Sequence, residues 1–484
     1  MKAEAIHTLI LGAGPSGLAA GYTLAQAGIK PVILEKDAAS GGLMRSIKRG
    51  EFIVDVGRKE LYNRLARVDA FWSEILGGDY RGYPHRGGLL YDGRIIDMSP
   101  AYQGVRRGMP WGMFVRCAFD FFWARAKPGA LKPRNLEEYW YQQRGRLLTQ
   151  ITNQGFQEKL HGKRWVDVPM PPDVANGAAT SFLPTLKQGL LRTFSKKENN
   201  THKGIWRHPA RGTGQICESL EQGILKAGGR IHHQARVLGM SASKGRIVSV
   251  TAETASEIVE FNPINLISSA PAEFLERFLL PHRSGAGPEL GQVPPRPQKM
   301  VVLVYLFVDA DPVFPHFWLQ VTCQKTRIGR ITNYAALNAD MVPRGKTCLC
   351  CEFYCDAGDP LLKLDDGQFA ELALKDCSKS SLLDRSKCFD SLVLRLPGAD
   401  ASQNRHNWLN QHRQRLLAEL GQFENLYAVN RTDLDIATLA GIEAAEAVLS
   451  GNRTQFDLHV DPAQLGIRSE PKPFEFRNPT GVEI

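Results

Sequence analysis

A glycine-rich turn between an apolar strand and a helix constrains the fold of this chain more than any other feature. The apolar run of residues 6–11 leads directly into Gly-Ala-Gly-Pro-Ser-Gly at positions 12–17. Residues 18–27 then have helical composition and stop at Gly28, and residues 30–34 read as a second strand that ends at Glu35. This order of strand, helix and strand predicts a Rossmann-like α/β unit that binds a dinucleotide.

Each residue of the turn has a physical task in holding a pyrophosphate. Gly12 permits the tight turn, Gly14 lets the backbone approach the phosphates, and Gly17 lets the helix pack closely on the strand. The free N–H groups and the dipole at the helix N-terminus favour negative charge. A carboxylate at Glu35 can accept hydrogen bonds from both hydroxyls of a ribose, and it would repel a 2′-phosphate.

Composition excludes several other classes of protein. The 484 residues are 43% hydrophobic, and no apolar run approaches the roughly 18 to 20 residues of a membrane-spanning helix. The N-terminal run enters a glycine motif instead of a cleavage site, so we expect a cytoplasmic protein. Nine cysteines, an odd number and mostly dispersed, do not form a secreted disulfide framework.

The basic excess does not predict nucleic-acid binding. The 60 Lys and Arg residues are spread along the chain among 50 acidic residues, which gives a formal charge of +10 without a basic arm. A positive field would also favour an anionic cofactor or substrate. We therefore expect a small-molecule substrate and no nucleic-acid partner.

The residues after Glu35 resemble a large superfamily of flavoenzymes. A Gly-Gly turn at 41–42 is followed by Arg45, and residues 52–57 read Phe-x-x-Asp-x-Gly. This pattern is similar to that of amine oxidases, protoporphyrinogen oxidases, phytoene desaturases and UDP-galactopyranose mutases. The resemblance implies FAD as the cofactor. Because residues 430–441 contain no cysteine for a cysteinyl flavin link, we expect the FAD to be non-covalent.

The resemblance returns in pieces along the chain. Residues 209–214 form a Pro-x-x-Gly-x-Gly loop before a predicted helix at 216–227 and a strand that contains Val237. Paired strands are predicted at 244–251 and 258–261, and a further strand over 265–271. A final strand at 424–427 and a helix over 434–445 would place Asp435 and Ile436 beside the flavin pyrimidine.

The motif and the resemblance together give a set of predicted site residues. The predicted FAD contacts are Gly12, Gly14, Pro15, Ser16, Gly17, Glu35, Lys36, Gly41, Gly42, Leu43, Arg45, Gly57, Arg58, Val237, Asp435 and Ile436. Many relatives have a glycine and then a histidine or small residue after Gly57, whereas this chain has Arg58 and Lys59. From apparent position alone, the candidate catalytic residues are Arg58, Lys59, Arg330 and Tyr334.

The resemblance implies an α/β fold in which a Rossmann-like FAD-binding domain of the GR2-type flavoproteins carries an inserted α+β substrate domain. Residues 1–75, 205–271 and 420–455 would form the FAD domain, residues 76–204 and 272–419 the substrate domain, and residues 456–484 a C-terminal tail. Strands are predicted at 301–308, 327–333 and 347–354. The cysteines at 348, 350, 351 and 355 lack metal-site spacing, so we expect buried small hydrophobic residues and no metal.

An aromatic segment at residues 111–123 allows two interpretations. Because its apolar residues are not confined to one stripe, we expect a helix buried in the substrate domain, where it lines an apolar cavity. The alternative is contact with a membrane surface, which Arg125 and Lys127 would support.

The predicted activity is oxidation of a small organic substrate, such as an amine, a CH–CH bond or a sugar-derived alcohol, with the flavin as hydride acceptor. No second nucleotide fold is evident for NAD(P)H, which favours dioxygen or a diffusible electron acceptor. One alternative is a redox-neutral mutase or isomerase that resembles UDP-galactopyranose mutase. Another is a non-catalytic binder of the GDP-dissociation-inhibitor type, against which the intact glycine turn and Glu35 argue.

Overall fold

The structure of the chain is a computed structural model. It describes residues 2–63, 65–83, 86–97, 109–126, 133–168, 206–280, 299–397, 415–431, 433–453 and 456. The fold is mixed α/β, with a Rossmann-like unit at the N-terminus, as the sequence predicted. The predicted tail at 456–484 lies outside the described residues apart from Phe456.

The strands lie throughout the described chain. They are β1 (Lys2–Leu11), β2 (Val32–Leu34), β3 (Ser46–Arg49), β4 (Phe52–Asp55), β5 (Leu61–Tyr62), β6 (Tyr80–Tyr83), β7 (Gly87–Tyr91), β8 (Arg94–Asp97), β9 (Trp206–Pro209), β10 (Arg230–His232), β11 (Arg236–Ser243), β12 (Arg246–Glu253), β13 (Ile258–Ser268), β14 (Met300–Val308), β15 (Trp318–Val321), β16 (Ile328–Asn333), β17 (Thr347–Cys355), β18 (Cys388–Pro397) and β19 (Leu426–Ala428).

The α-helices range from one turn to almost five turns in length. They are α1 (Pro15–Gln26), α2 (Ala66–Leu76), α3 (Trp111–Ala126), α4 (Leu136–Arg144), α5 (Arg146–Thr149), α6 (Gly155–His161), α7 (Gly214–Lys226), α8 (Ala272–Leu279), α9 (Tyr334–Leu337), α10 (Asp366–Lys379) and α11 (Leu434–Ser450).

The described chain divides into two compact units. The first, called the nucleotide unit here, comprises the described residues between 2 and 83, between 206 and 280, and between 415 and 456. The second, called the insertion unit, comprises those between 86 and 168 and between 299 and 397.

The nucleotide unit is built on a sheet whose strands run β10-β2-β1-β13-β12-β11, with β19 also paired to β13. β1 lies parallel to both β2 and β13, and β13 is parallel to β19. In β1, Ile10 enters a core with α1, α7 and α11, whereas Leu9 enters a second core on the opposite face with β12, β13 and α8. A strand buried on both faces explains why residues 6–11 are a nearly continuous apolar run.

The insertion unit is built on a sheet of order β18-β14-β17-β16-β15-β7-β8. Its pairs are antiparallel except β15 with β7, which are parallel. Apolar residues of β14, β16 and β17 pack beneath α10, whose Phe369, Ala373 and Cys377 are fully buried.

Most of the predicted elements are confirmed. The predicted strands at 301–308, 327–333 and 347–354 correspond to β14, β16 and β17. The four cysteines of β17 are buried, and burial raises the pKa of the Cys355 thiol to about 11. The separate strand predicted over 265–271 is wrong, because one long strand, β13, runs from Ile258 to Ser268. It pairs antiparallel with β12 near its start and parallel with β1 along its length.

The expected burial of the aromatic helix is also wrong. α3 forms as a helix, but Trp111, Phe119 and Trp123 are 69%, 68% and 59% exposed. Only part of the helix faces the interior of its unit, through Cys117, because the exposed residues Trp111, Val115, Phe119 and Trp123 recur every four positions and so share one side.

Candidate nucleotide-binding site

The glycine turn of the nucleotide unit has the geometry that the motif predicted. Gly12 has a φ of +94°, and its N–H donates to the carbonyl of Leu34 at 2.8 Å. A Cβ added at Gly17 would lie 1.9 Å from the carbonyl oxygen of Gly12. The turn therefore requires glycine at Gly12 for its conformation and at Gly17 for close packing.

Gly14 faces open space instead of packed atoms. It is the N-cap residue of α1 with extended φ and ψ, and an added Cβ would meet no atom within 4 Å. Pro15 begins the helix and Ser16 is buried behind it, and no side chain caps the helix N-terminus. The first free N–H groups of α1 thus lie beside open space that could hold an anion.

A second glycine turn borders the same surface. Gly41 has a φ of +105°, and its N–H donates to the carbonyl of Ala13 at 2.7 Å. A Cβ on Gly42 would lie 3.6 Å from the Cα of Gly14. The 12–17 turn and the 41–42 turn therefore face each other through backbone alone, which leaves room for a flat ligand or a diphosphate to approach.

Glu35 lies at the end of β2 and is 5% exposed. Its Oε2 accepts a hydrogen bond from the N–H of Ala13 at 2.6 Å, and its Oε1 accepts one from the N–H of Asp37 at 2.8 Å. Each oxygen accepts one such bond, and a carboxylate oxygen can accept a further bond from a hydroxyl. Glu35 is therefore fixed beside the turn, where a ribose diol would lie.

Backbone hydrogen bonds join the residues before the strand that contains Val237 to Glu35. The N–H of Glu35 donates to the carbonyl of His232 at 2.8 Å, and the N–H of Ala235 donates to the carbonyl of Glu35 at 2.8 Å. Val237 is half-buried in β11, two residues beyond Ala235. The structure thus brings Val237 and Glu35 into one region of the nucleotide unit.

Three side chains near the second glycine turn, those of Lys36, Leu43 and Arg45, lie at or near the surface. Lys36 is exposed and Leu43 is 48% exposed. Arg45 donates from Nη1 to the carbonyl of Gly42 at 2.7 Å, and that nitrogen lies 4.0 Å from a carboxylate oxygen of Asp37. Arg45 is held against the turn in which a phosphate would need a positive charge.

A buried ion pair behind the turn was not predicted. Asp55 and His208 are both fully buried, and the His208 Nε2 lies 2.8 Å from the Asp55 Oδ2. His208 Nδ1 lies 3.0 Å from the carbonyl of Pro209. Both ring nitrogens of His208 therefore lie within hydrogen-bond distance of an acceptor oxygen.

Asp55 also accepts hydrogen bonds at its other oxygen. The Ser46 hydroxyl donates at 2.6 Å and the Thr213 N–H donates at 2.9 Å. Burial alone would raise the pKa of Asp55, but the hydrogen bond and charge of His208 and the two further bonds outweigh it, so the pKa lies below its ordinary value. The carboxylate joins β3, β4 and β9 to the start of α7.

Two sequence patterns contain or adjoin the members of this pair. Asp55 belongs to the Phe-x-x-Asp-x-Gly pattern, and His208 precedes the Pro-x-x-Gly-x-Gly loop. Their pairing depends on β9 and β4 meeting across 153 residues, which no local pattern encodes.

The loop after β4 carries two of the predicted catalytic residues. Gly57 has a φ of +71°. Arg58 lies 3.2 Å from the carboxylate of Glu60, and Lys59 is half-buried beside it. The Arg58 charge is thus largely compensated by Glu60.

The last helix packs on the first. A Cβ on Gly441 would lie 2.1 Å from the carbonyl oxygen of Ser16, so α11 touches α1 backbone to backbone. Asp435 and Ile436, each 7% exposed, lie in the first turn of α11, where the Ile436 N–H is bonded to the Asp435 carboxylate. The structure therefore places α11 against the helix that carries the glycine turn.

The other two predicted catalytic residues belong to the insertion unit. Arg330 in β16 lies 3.1 Å from the Glu352 carboxylate, which also accepts a bond from the Tyr354 hydroxyl at 2.7 Å. Tyr334 is fully buried and stacks on Tyr305 with ring centroids 6.2 Å apart. Its burial indicates a packing role for the Tyr334 ring.

The residues of the nucleotide unit fit a dinucleotide. The glycine turn offers uncapped N–H groups and open space, Glu35 offers carboxylate lone pairs, and Arg45 offers a positive charge. These are the donors and acceptors that a pyrophosphate and a ribose require.

Comparison with known proteins agrees with this geometry. Residues 10–68 match the family model for an NAD(P)-binding Rossmann-like domain. An all-trans-zeta-carotene desaturase from Myxococcus xanthus is 43% identical over 105 residues, which are 19% of this chain and 19% of that protein. The chain thus matches about a fifth of the length of this curated relative.

Solved structures match over almost the whole chain. Reduced UDP-galactopyranose mutase is similar with a TM-score of 0.71 at 19% identity, covering 95% of this chain and 98% of that one. Wild-type putrescine oxidase bound to putrescine gives a TM-score of 0.55 at 12% identity, covering 93% and 100%. At these identities the likeness shows the fold.

The fold and the geometry of the glycine turn are those of a Rossmann-like domain. More narrowly, the chain shares its fold with UDP-galactopyranose mutase and putrescine oxidase, two of the kinds of protein that its sequence resembles, and the inferred resemblance is confirmed at the level of the fold.

Proposed function

We propose that this chain is an oxidoreductase that binds FAD non-covalently and oxidises a small organic substrate. The observation that carries the proposal is the open glycine turn at the N-terminus of α1, with the fixed Glu35 carboxylate beside it. The carotene desaturase and the putrescine oxidase support it as relatives in sequence and in fold.

The proposed roles of the protein residues follow from their positions. The N–H groups of the 12–17 turn and Arg45 would neutralise the pyrophosphate, and Glu35 would orient the ribose. FAD would supply the redox chemistry by accepting a hydride from a carbon of the substrate. The Asp55–His208 pair would keep the 41–57 region in shape, because it joins β3 and β4 to the loop before α7.

FAD is favoured over a phosphorylated nicotinamide nucleotide by Glu35. A buried carboxylate at the ribose position would repel a 2′-phosphate. The facing glycine turns at 12–17 and 41–42 and the nearby Arg45 also match the flavoenzyme pattern.

The first experiment determines the cofactor. The purified protein is denatured and the released nucleotide is identified by chromatography and mass spectrometry, while the mass of the polypeptide is measured. The proposal predicts FAD in solution and an unmodified polypeptide mass. A protein that contains no flavin and cannot bind added FAD would falsify the proposal and favour a binder without redox chemistry.

The second experiment identifies the reaction class. The bound flavin is exposed anaerobically to panels of amines, nucleotide sugars and tetrapyrroles, and bleaching of its absorbance is followed. A true substrate should be oxidised to product while it reduces the flavin, and the amount of reduced flavin should match the amount of product formed.

A redox-neutral mutase or isomerase is the second candidate, and the likeness to UDP-galactopyranose mutase over almost the whole chain favours it. It predicts turnover of a nucleotide sugar only after the flavin has been reduced, with no further reductant consumed. Turnover by the oxidised protein with matched flavin reduction would exclude it.

A further inference from the structure

One face of α3 exposes large apolar side chains in a regular order. Trp111, Val115, Phe119 and Trp123 are 69%, 48%, 68% and 59% exposed. Residues four apart on an α-helix differ by about 40° around the axis, so these four lie within about 120° of one another. They form a stripe along the helix, which we call the aromatic face.

The aromatic face is large for a protein surface. At about 150–250 Å² for a whole aromatic side chain, the two tryptophans and Phe119 alone present roughly 400 Å². Patches of a few hundred Å² and more commonly mark interaction sites. Phe119 and Trp123 stack with centroids 6.2 Å apart, which gives the exposed patch a continuous surface.

The opposite side of α3 is fixed to its unit. Cys117 is buried, and its thiol lies 4.0 Å from the sulfur of Met109. The Asp120 carboxylate accepts a hydrogen bond from the Leu147 N–H at 2.7 Å. Turning the aromatic face inward would break this bond and expose Cys117, so the helix is held with its apolar face outward.

The residues around α3 in the sequence are mostly basic, which favours a negatively charged partner. Residues 105–134 contain seven basic side chains and one acidic side chain, Asp120, which is engaged with Leu147. Arg116 on α3 is exposed, and together with Arg146 it lines an open groove of about 450 Å³ whose apolar wall includes Val115 and Phe119. An aromatic helix face bordered by arginines matches an anionic lipid surface, which offers an apolar layer beneath negative headgroups.

The length of α3 agrees with a helix that lies in the membrane interface. Its 16 residues span about 24 Å, which is shorter than the roughly 30 Å hydrocarbon core. Among the described residues, no helix is long and apolar enough to cross a membrane.

We propose that the aromatic face of α3 docks the protein onto an anionic phospholipid bilayer, with Trp111, Phe119 and Trp123 inserted at the headgroup level and Arg116 paired with lipid phosphates. This role is independent of the proposed redox activity, because it rests on the insertion unit alone.

The test is co-sedimentation of the full chain with vesicles of phosphatidylcholine alone and of phosphatidylcholine mixed with phosphatidylglycerol. The wild-type protein should bind the mixed vesicles, bind neutral vesicles more weakly, and lose binding as salt is raised. The variant Phe119→Glu with Trp123→Glu should bind mixed vesicles at least roughly tenfold more weakly, and Arg116→Glu should reduce the preference for anionic lipid.

Phe389→Glu is the matched control, because Phe389 is 54% exposed in the same unit but lies on β18. It should bind vesicles as the wild type does. Circular dichroism and thermal melting establish that each variant folds, and Phe119→Ser provides a milder change if the double variant does not fold. Equal vesicle binding by wild type and folded aromatic-face variants overturns the proposal. So does a wild type that binds no vesicles but changes oligomeric state on Phe119→Glu, which would assign the face to a second copy of the chain.

Discussion

Gly14 and Gly17 lie three residues apart but require glycine for different reasons. A methyl group at Gly14 would enter open space in front of α1, whereas one at Gly17 would lie 1.9 Å from the Gly12 carbonyl oxygen. The second glycine therefore serves the packing of the fold, and we propose that the first serves a bound ligand.

This difference gives a paired prediction. Gly14→Ala should leave the free energy of unfolding of the apoprotein nearly unchanged and weaken FAD binding by roughly tenfold or more, about 1.4 kcal/mol. Gly17→Ala should destabilise the apoprotein by about 1–3 kcal/mol, because it overpacks the turn. Urea unfolding and fluorescence titration with FAD measure the two effects. Equal losses of stability in both variants would contradict the assignment of Gly14 to a ligand surface.

Glu35 is expected to act through its charge. Glu35→Gln removes the charge and replaces one acceptor oxygen with an amide group, so FAD affinity should fall by roughly 10- to 100-fold, as for loss of a charge-assisted hydrogen bond of about 1.5–3 kcal/mol. The dissociation constant of FAD from the apoprotein is the measurement. Glu51→Gln, at an exposed turn between β3 and β4, is the matched control and should bind FAD normally. An unchanged affinity in Glu35→Gln would remove the ribose role from this residue.

At the scale of elements, the Asp55–His208 pair holds together segments that are far apart in sequence. Asp55 accepts bonds from β3, from β9 and from the residue that precedes α7. Removing one partner from a buried ion pair typically costs about 3–5 kcal/mol, because the remaining charge is left buried. Asp55→Asn should therefore lower the free energy of unfolding by about that amount at neutral pH.

The pH dependence of this effect has a defined sign. The pKa of Asp55 is lowered in the folded protein, so its contribution to stability is present above the unfolded value of about 3.9 and is lost as pH falls through the folded pKa. The difference in stability between wild type and Asp55→Asn should thus shrink as the pH falls through the folded pKa of Asp55. Denaturant unfolding over a pH series measures it, with the exposed Asp311→Asn as a control. A difference that grows on acidification would show that Asp55 is not ionised in the folded state.

In the whole molecule, the reactivity of the nine cysteines is a measure of how well both units are packed. Seven are buried and two, Cys323 and Cys388, are partly exposed. Burial raises the pKa of Cys217 to about 12 and that of Cys355 to about 11, so these thiols stay protonated and unreactive near neutral pH.

A thiol reagent such as dithionitrobenzoate should therefore modify at most two cysteines of the native protein rapidly, and all nine after unfolding. Cys388→Ser and Cys323→Ser should each remove one rapid equivalent. Rapid modification of more than two thiols in the folded protein would contradict the burial of the other seven cysteines.

Local sequence patterns were enough to predict the Rossmann-like part of the nucleotide unit and the surface that would hold a dinucleotide. The glycine turn, the apolar strand before it and the terminal Glu35 are contiguous, and local sterics dictate their geometry, as the positive φ of Gly12 and the close packing of Gly17 show. The same holds for the strands β14 and β17, whose mostly apolar runs of nine residues are long enough to identify a buried strand.

The contacts between residues distant in sequence, and the burial of one helix face and not another, depend on the packing of the whole fold. The pairing of Asp55 with His208 depends on β4 and β9 folding together, and Tyr334, at the start of α9, packs against Tyr305 of β14. The exposure of α3 likewise follows from the contacts of its other side, which the composition of residues 111–123 does not reveal. Local patterns fix backbone conformation over a few residues, whereas burial and ion pairing are set by the neighbours that the whole fold supplies.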